Sequence, residues 1–165
     1  MIEPNKNKAK RIGIVCSHGG HLEDVLTIFD AFNDSEVFLV SYNIPTLKNF
    51  QFSGISKFYY LRYFGDSIVE IFLSLLLSCF SYIKIFLKER PQIIFSTGSE
   101  IVFPAFFIGK FLFSSKLIFL EQFTRVDEPS LTAKSVYYVS DLFLVQHESL
   151  LSKFGKKAKY VGSIL

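Results

Sequence analysis

The stretch GIVCSHGGHLEDVL, Gly13 to Leu26, decides how the rest of the chain is read. An apolar, β-rich run ends at Cys16, a Ser-His-Gly-Gly hinge follows, and a segment with helical spacing opens at Gly20 and His21. A strand that enters a helix through glycines is the first unit of a parallel α/β sheet, because parallel neighbours need a crossover and helices supply it. Gly19 and Gly20 let the backbone approach a ligand closely. The helix start beyond them offers amides without intrahelical acceptors and the positive end of a dipole, which together suit a phosphate or diphosphate.

Outward from the hinge the same alternation continues. RIGIVC (11–16), EVFLVSY (36–42), KFYYLR (57–62), QIIFST (92–97), KLIFLE (116–121), DLFLVQ (141–146) and KYVG (159–162) read as strands, and 20–33, 66–89, 100–113, 129–139 and 147–154 as helices. Near-continuous apolar strands separated by helices predict a Rossmann-like, doubly wound parallel sheet covered on both faces. The 165 residues, half of them hydrophobic, make one domain over 1–165, with residues 1–10 as a flexible basic tail. That tail has no apolar core segment, so neither a signal peptide nor an N-terminal anchor helix is expected from it.

Net charge is only +3, but basic residues cluster before the first strand, at Lys84, Lys88 and Arg90, and at Lys153, Lys156, Lys157 and Lys159. Such clusters fit either an anionic surface or a solvated face. Cys16 and Cys79 show no framework spacing and suit a reducing compartment. The second strand ends in SYN, without an acidic residue, and the hinge lacks G-x-G-x-x-G, which argues against NAD. His18 and His21 with Cys16 or Asp24 match no standard metal spacing, and no metal is expected.

Mean hydropathy is +0.34 and Phe alone contributes 20 residues, so part of the apolar surface is expected to face something other than the core. In the helix over 66–89, Glu70, Ser74, Leu77, Ser81, Lys84 and Lys88 trace a polar seam on an apolar cylinder. Its uncharged part, 71–83, is shorter than the roughly 20 residues that span a bilayer. The segment VFPAFFIGKFLF (102–113) carries five phenylalanines and one charge. Both helices are open to two readings, burial in the core or contact with a membrane interface.

Ligands of open parallel sheets sit beyond the carboxyl ends of the strands, so three loops concentrate the chemistry. The first is the Gly-His hinge, where His21 is either a ligand-side group or simply a helix cap. STGSE (96–100) repeats the strand-to-helix turn with Thr97, Gly98 and Ser99. The third, EQFTRVDEPSLTAK (121–134), brings Glu121, Gln122 and Arg125 to a strand end, where they hold a sugar hydroxyl or a catalytic group, or else Glu121 merely pairs with Arg125.

Taken in order, CSHGGHL, STGSEIVFP, FLEQFTRVDEPSLTAKSVYYVSDLFLVQ and the closing YVGSIL resemble the Alg-fourteen family and its bacterial PssD-like relatives, with more distant similarity to the N-terminal half of MurG. That resemblance implies the N-terminal, acceptor-side half of a split GT-B glycosyltransferase. Such a subunit sits on the cytoplasmic face of the membrane, peripheral or monotopic, and acts on a lipid-diphosphate-linked saccharide. It recruits a separate soluble, Alg-thirteen or PssE-like subunit that carries the UDP-sugar donor, so no tightly bound cofactor is expected here and no activity from the chain alone. Carried over by position, Ser17, His18, Gly19, Gly20, Thr97, Gly98, Ser99, Gln122 and Arg125 would line the acceptor and diphosphate side, with His21 and Glu121 as candidates for the catalytic base. Phe72, Leu75, Leu76, Phe103, Phe106, Phe107 and Phe111 would meet the membrane, and Gly162, Ser163, Ile164 and Leu165 the partner subunit. The competing expectations are a non-catalytic membrane scaffold that only tethers its partner, and a stand-alone enzyme acting on a nucleotide.

Overall fold

Among the described residues, seven strands form one sheet in which every adjacent pair is parallel. The structure, a computed structural model, describes residues 9–47, 50–65 and 67–164, apart from the side chain of Thr46. Most of the basic tail and Leu165 therefore lie outside the described residues. The strands are β1 (Lys10–Cys16), β2 (Ser35–Tyr42), β3 (Ile55–Leu61), β4 (Ile93–Gly98), β5 (Lys116–Leu120), β6 (Leu142–Val145) and β7 (Ala158–Tyr160), side by side in the order β3-β2-β1-β4-β5-β6-β7. Between them run α1 (Gly20–Thr27), α2 (Ile68–Glu89), α3 (Val102–Phe113), α4 (Leu131–Val136) and α5 (Leu151–Phe154). The doubly wound architecture expected from the apolar pattern is the one observed. Its shorter helices are trimmed: the 20–33 segment breaks at Ile28 into α1 and a 3₁₀ turn, and α4 starts only where the Ser130 hydroxyl caps the Ala133 amide.

The pleat divides β1 between two cores. Ile12, Ile14 and Cys16 pack under α1 with Leu22, Val25, Leu39 and Phe95, while Val15 faces the α2–α3 side with Phe38, Tyr82, Phe86 and Phe106. Burial pushes the Cys16 thiol up to about 12, with the Asp24 charge adding to it, so this cysteine stays protonated and inert at neutral pH. The chain leaves β1 for β2 and β3 on one side, then returns for β4 on the other. This reversal at β1/β4 opens a crevice at the carboxyl edge.

Helix α2 splits the polar seam read in the sequence, with Ser74 buried, Glu70 and Ser81 half-buried and Leu77, Lys84 and Lys88 exposed. A Ser67–Glu70 capping box starts it, and left-handed Arg90 followed by Pro91 ends it. Its buried side is Ser74, Ser78, Tyr82, Ile85, Phe86 and Glu89, so small hydroxyls face the protein. The hydroxyls of Ser74 and Ser78 donate to the helix's own carbonyls, of Glu70 at 2.8 Å and Leu75 at 2.6 Å, and so enter the fold without orphaned polar atoms. In its first four turns the large apolar side chains are turned outward: Ile68, Val69, Phe72, Leu73, Leu76, Leu77 and Phe80 are all exposed. Counting its charged ends, α2 is long and apolar enough to cross a membrane, and only 22 % of its apolar stretch is buried in the protein.

The C-terminal end of α2 is pinned to β3. Glu89, 5 % exposed, receives the Lys57 ammonium at 2.9 Å and the Tyr59 hydroxyl. Burial alone would raise its carboxyl, but these two donors outweigh it and hold the group below the usual carboxylate range. Stability contributed by such a depressed acid is present at neutral pH and lost as pH falls through its folded-state value. Glu89→Ala is therefore expected to cost about 1–3 kcal/mol in denaturant unfolding at pH 7, with the gap to wild type closing in acid; an equal gap at all pH values would show that lost packing, not charge, is responsible.

Candidate functional site

Since all seven strands are parallel, their carboxyl ends share one edge, and β1, β4 and β5 are neighbours there. The three chemistry-bearing loops are thus brought side by side, and side chains lock them together. The His21 ring Nδ1 lies 3.0 Å from the Thr97 carbonyl, and the Thr97 hydroxyl donates back to the His21 carbonyl at 2.7 Å. Asp24, buried in α1, accepts from the Phe123 amide at 3.1 Å. A Cβ on Gly20 would sit 2.6 Å from the Gln122 amide nitrogen, a measure of how closely the third loop approaches the first.

His21 does not cap its helix; Gly19 is the N-cap and no side chain serves it. A carbonyl can only accept, so Nδ1 carries the proton and the lone pair is left on Nε2. Burial pulls the imidazole pKa below its ordinary value, and Arg125 pushes the same way. The Thr97 carbonyl and the charges of Asp24 and Glu100 offset part of this. The group is neutral at pH 7 and has the tautomer of a base.

Gly98 holds this arrangement open. Its φ is 127°, and an added Cβ would stand 2.7 Å from the His21 Cε1. Gly98→Ala is expected to lower stability by about 1–3 kcal/mol and to swing the imidazole off Thr97. Loss of the His21 Nδ1 hydrogen-bond signature by NMR would report the displacement; an unshifted ring would contradict it.

Glu121 has a different fate from the one expected of a cleft carboxylate. It is 1 % exposed, and its oxygens accept from the Ser130 amide and hydroxyl, at 3.1 and 3.2 Å, and from the Gln122 amide at 3.2 Å. It clamps β5 to the start of α4. Burial still raises its pKa, and Arg125 acts on it as a nearby charge without an ion pair, so the Glu121–Arg125 pairing weighed for this loop does not form. Thr97 is likewise buried and spent on His21, whereas Ser17 and Gln122 are half-buried and His18, Gly19 and Arg125 exposed.

Beside His21, on the β2 side, a pocket of about 460 Å³ is lined by Ser17, His18, Tyr42, Ile44, Tyr63, Ser99 and Glu100. Tyr42, Tyr63 and Glu100 were not singled out in the sequence, although Tyr42 ends an apolar strand and Glu100 ends the STGSE turn, both places where the strand-end rule directs attention. Among the described residues no group of three or more His, Cys, Asp and Glu is placed to hold a metal.

Of the membrane-facing set, Phe72, Leu76, Phe103 and Phe111 are exposed and Leu75 and Phe107 half-buried. Phe106 is a correction: it is fully buried against Phe119, because α3 turns that side to the sheet. At the tail, Ile164 packs on the α1-side core and its amide donates to the Gln146 side chain at 3.1 Å, while Gln146 itself donates to the Glu121 carbonyl at 3.0 Å. Ser163 remains exposed. Gln146 and Ile164 thus tie the closing segment to the same edge as the loops.

The family model described as "Oligosaccharide biosynthesis protein Alg14 like" matches residues 12–164. The chain belongs to this Alg14-like family. Among its relatives, the UDP-N-acetylglucosamine transferase subunit ALG14 of Debaryomyces hansenii is 27 % identical, the match covering 98 % of this chain and 79 % of the relative. The subunit of the same name from Schizosaccharomyces pombe is 26 % identical over 99 % of this chain and 88 % of its own. The Acinetobacter baumannii MurG structure superposes with a TM-score of 0.70 at 14 % identity, over 93 % of this chain and 45 % of MurG. A Methanocaldococcus jannaschii UDP-GlcNAc 2-epimerase, solved with UDP-GlcNAc and UDP, gives 0.70 at 13 % identity over 93 % of this chain and 46 % of the epimerase. The chain therefore has the Rossmann-like fold of GT-B enzymes and spans slightly less than half the length of those solved structures. As a member of the Alg14-like family it is transferase-related.

Proposed function

We propose that this chain is the membrane-associated, acceptor-side subunit of a two-subunit UDP-N-acetylglucosamine transferase that elongates a lipid-diphosphate-linked saccharide at the cytoplasmic face. The observation that carries the reading is His21, neutral and with its free lone pair on Nε2, at the junction of three loops locked to one another. In this role Nε2 takes the proton of an acceptor hydroxyl as its oxygen bonds to the anomeric carbon of the donor. The bond from that carbon to the UDP oxygen breaks, and UDP leaves with the electron pair. The amides of Gly19, Gly20 and His21 at the start of α1, with the nearby Arg125 and Gln122, offset the acceptor diphosphate. Glu121 acts here by holding the third loop, not as a base.

The donor site belongs to the partner, a soluble GT-B C-terminal-type subunit, and this chain needs no bound cofactor of its own. Membrane attachment rests on the outward face of α2 and on Phe103 and Phe111 of α3. Reconstitution is the test: the chain with its partner, UDP-GlcNAc and a membrane extract containing the acceptor should transfer sugar, and neither subunit should do so alone. Full turnover by the pair when this chain carries His21→Ala and Glu121→Gln together and still recruits its partner would favour a pure scaffold, and turnover by the chain alone would sink the split arrangement.

A further inference from the structure

The pocket beside His21 carries features that a diphosphate site does not need. Along the carboxyl edge the charges change sign: Glu100 stands at the β2–β4 side of His21 and Arg125 in the loop after β5, and the two act on the imidazole in opposite directions. A carboxylate lining a pocket repels a phosphate placed in it, so the β2-side compartment disfavours anions. Its other walls are two tyrosine rings, Tyr42 and Tyr63, with centroids 5.0 Å apart, the small hydroxyls of Ser17 and Ser99, and the side chains of Ile44 and His18. An aromatic face, here the half-buried Tyr63 ring backed by buried Tyr42, with a carboxylate and hydroxyls suits a neutral polyhydroxy ring, whose C–H face stacks while its hydroxyls donate to the carboxylate. About 460 Å³ lies within the usual range for small-ligand sites, roughly 300–1,000 Å³.

The carboxylate is also held in position at a cost. The Ser99 hydroxyl donates to Glu100 at 2.9 Å, and the buried Tyr42 phenol lies against the same carboxylate. To place that hydroxyl, Ser99 adopts φ 89°, a conformation that a serine backbone resists. A loop needed only for turning would lose that strain with glycine.

We infer that Tyr42, Tyr63, Ser99 and Glu100 form a subsite for a neutral pyranose ring, separate from the anion-binding side of the cleft, with Glu100 accepting a sugar hydroxyl. The inference rests on the acceptor-side reading above and names the part of the acceptor that this pocket takes. It moves Ser17, His18 and Ser99, which line this pocket, out of the diphosphate set assigned by position.

Saturation-transfer NMR on the full chain in detergent micelles tests it, with free N-acetylglucosamine, glucose and inorganic pyrophosphate as probes. A sugar is expected to bind at millimolar concentration and to shift the Tyr42 and Tyr63 ring signals, while pyrophosphate leaves those rings unmoved. Glu100→Ala should weaken the sugar at least tenfold and Glu100→Gln less. Ser99→Gly should raise the melting temperature yet weaken the sugar several-fold, which keeps the test readable if Glu100→Ala folds poorly. No sugar binding by wild type, equal sugar affinity in the Glu100 and Ser99 variants, or pyrophosphate competing at the tyrosines would each overturn the subsite. Because no partner is needed, the result separates from the function proposal: sugar binding without transfer by the reconstituted pair would sink the latter alone.

Discussion

Replacing Phe72, Leu76 and Phe80 with serine is expected to release the chain from lipid vesicles, lowering its partition coefficient by two to three orders of magnitude. All three side chains point out of the fold, Phe72 and Phe80 at 64 % and 63 % exposed and Leu76 at 49 %. The residues that seat α2, among them Tyr82, Ile85 and Phe86, are untouched. Folding stability should therefore hold within about 0.5–1 kcal/mol, as for surface changes. Burying the exposed part of each side chain in an interface contributes about 1–1.5 kcal/mol, so the triple change removes about 3–4.5 kcal/mol of membrane affinity. Each 1.4 kcal/mol is a factor of about ten. Flotation with vesicles of neutral and of anionic lipid measures the change. A wild-type chain that stays with the soluble fraction, or a triple variant that floats like wild type, would show that this face meets protein instead.

The second large effect concerns His21. In the reconstituted pair, His21→Ala should lower kcat by about 10²–10⁴, the usual contribution of a positioned general base. The pH profile carries the sharper test. Because burial lowers the imidazole pKa, the base stays unprotonated further into acid than a free histidine does. Activity should therefore be flat through neutrality, and its acid limb should lie below the ordinary value near 6.5. Stability follows the same sign: the contribution of the neutral ring is present above the unfolded-state value and is lost as pH falls through the folded one. Glu121→Gln, by contrast, should act on melting temperature more than on the acid limb, since that carboxylate is enclosed by Ser130 and Gln122. An unmoved acid limb in His21→Ala would assign the base to the partner subunit.

Much of this architecture is legible in one sequence because parallel strands buried on both faces must be apolar along their length, and the segments between them must be helical. RIGIVC, QIIFST and KLIFLE show it without ambiguity, and with β1, β4 and β5 located the loops at their carboxyl ends follow. Periodicity located α2 but left its orientation open between burial and membrane contact. It marks which residues share a face, whereas which face turns inward depends on what the helix meets, and in α2 the hydroxyl side meets the fold. Phe106 illustrates the same point on α3, where phenylalanines occur on both the sheet side and the outside. The partnership of Glu121 with Ser130, nine positions on, and of His21 with Thr97, 76 positions away, joins groups that no local spacing relates.

The sequence alone determined the α/β class, the places of the seven strands, the three loops and the family likeness, since these follow from apolar period, glycine placement and local motif. Tertiary structure decided what each polar group is for. It enclosed Glu121, set the proton of His21 on Nδ1, put Glu100 between Tyr42 and Ser99, and turned the apolar side of α2 outward. The physical reason is that burial and hydrogen-bond partners, which set a side chain's charge state and access, arise only when distant strands are laid next to one another.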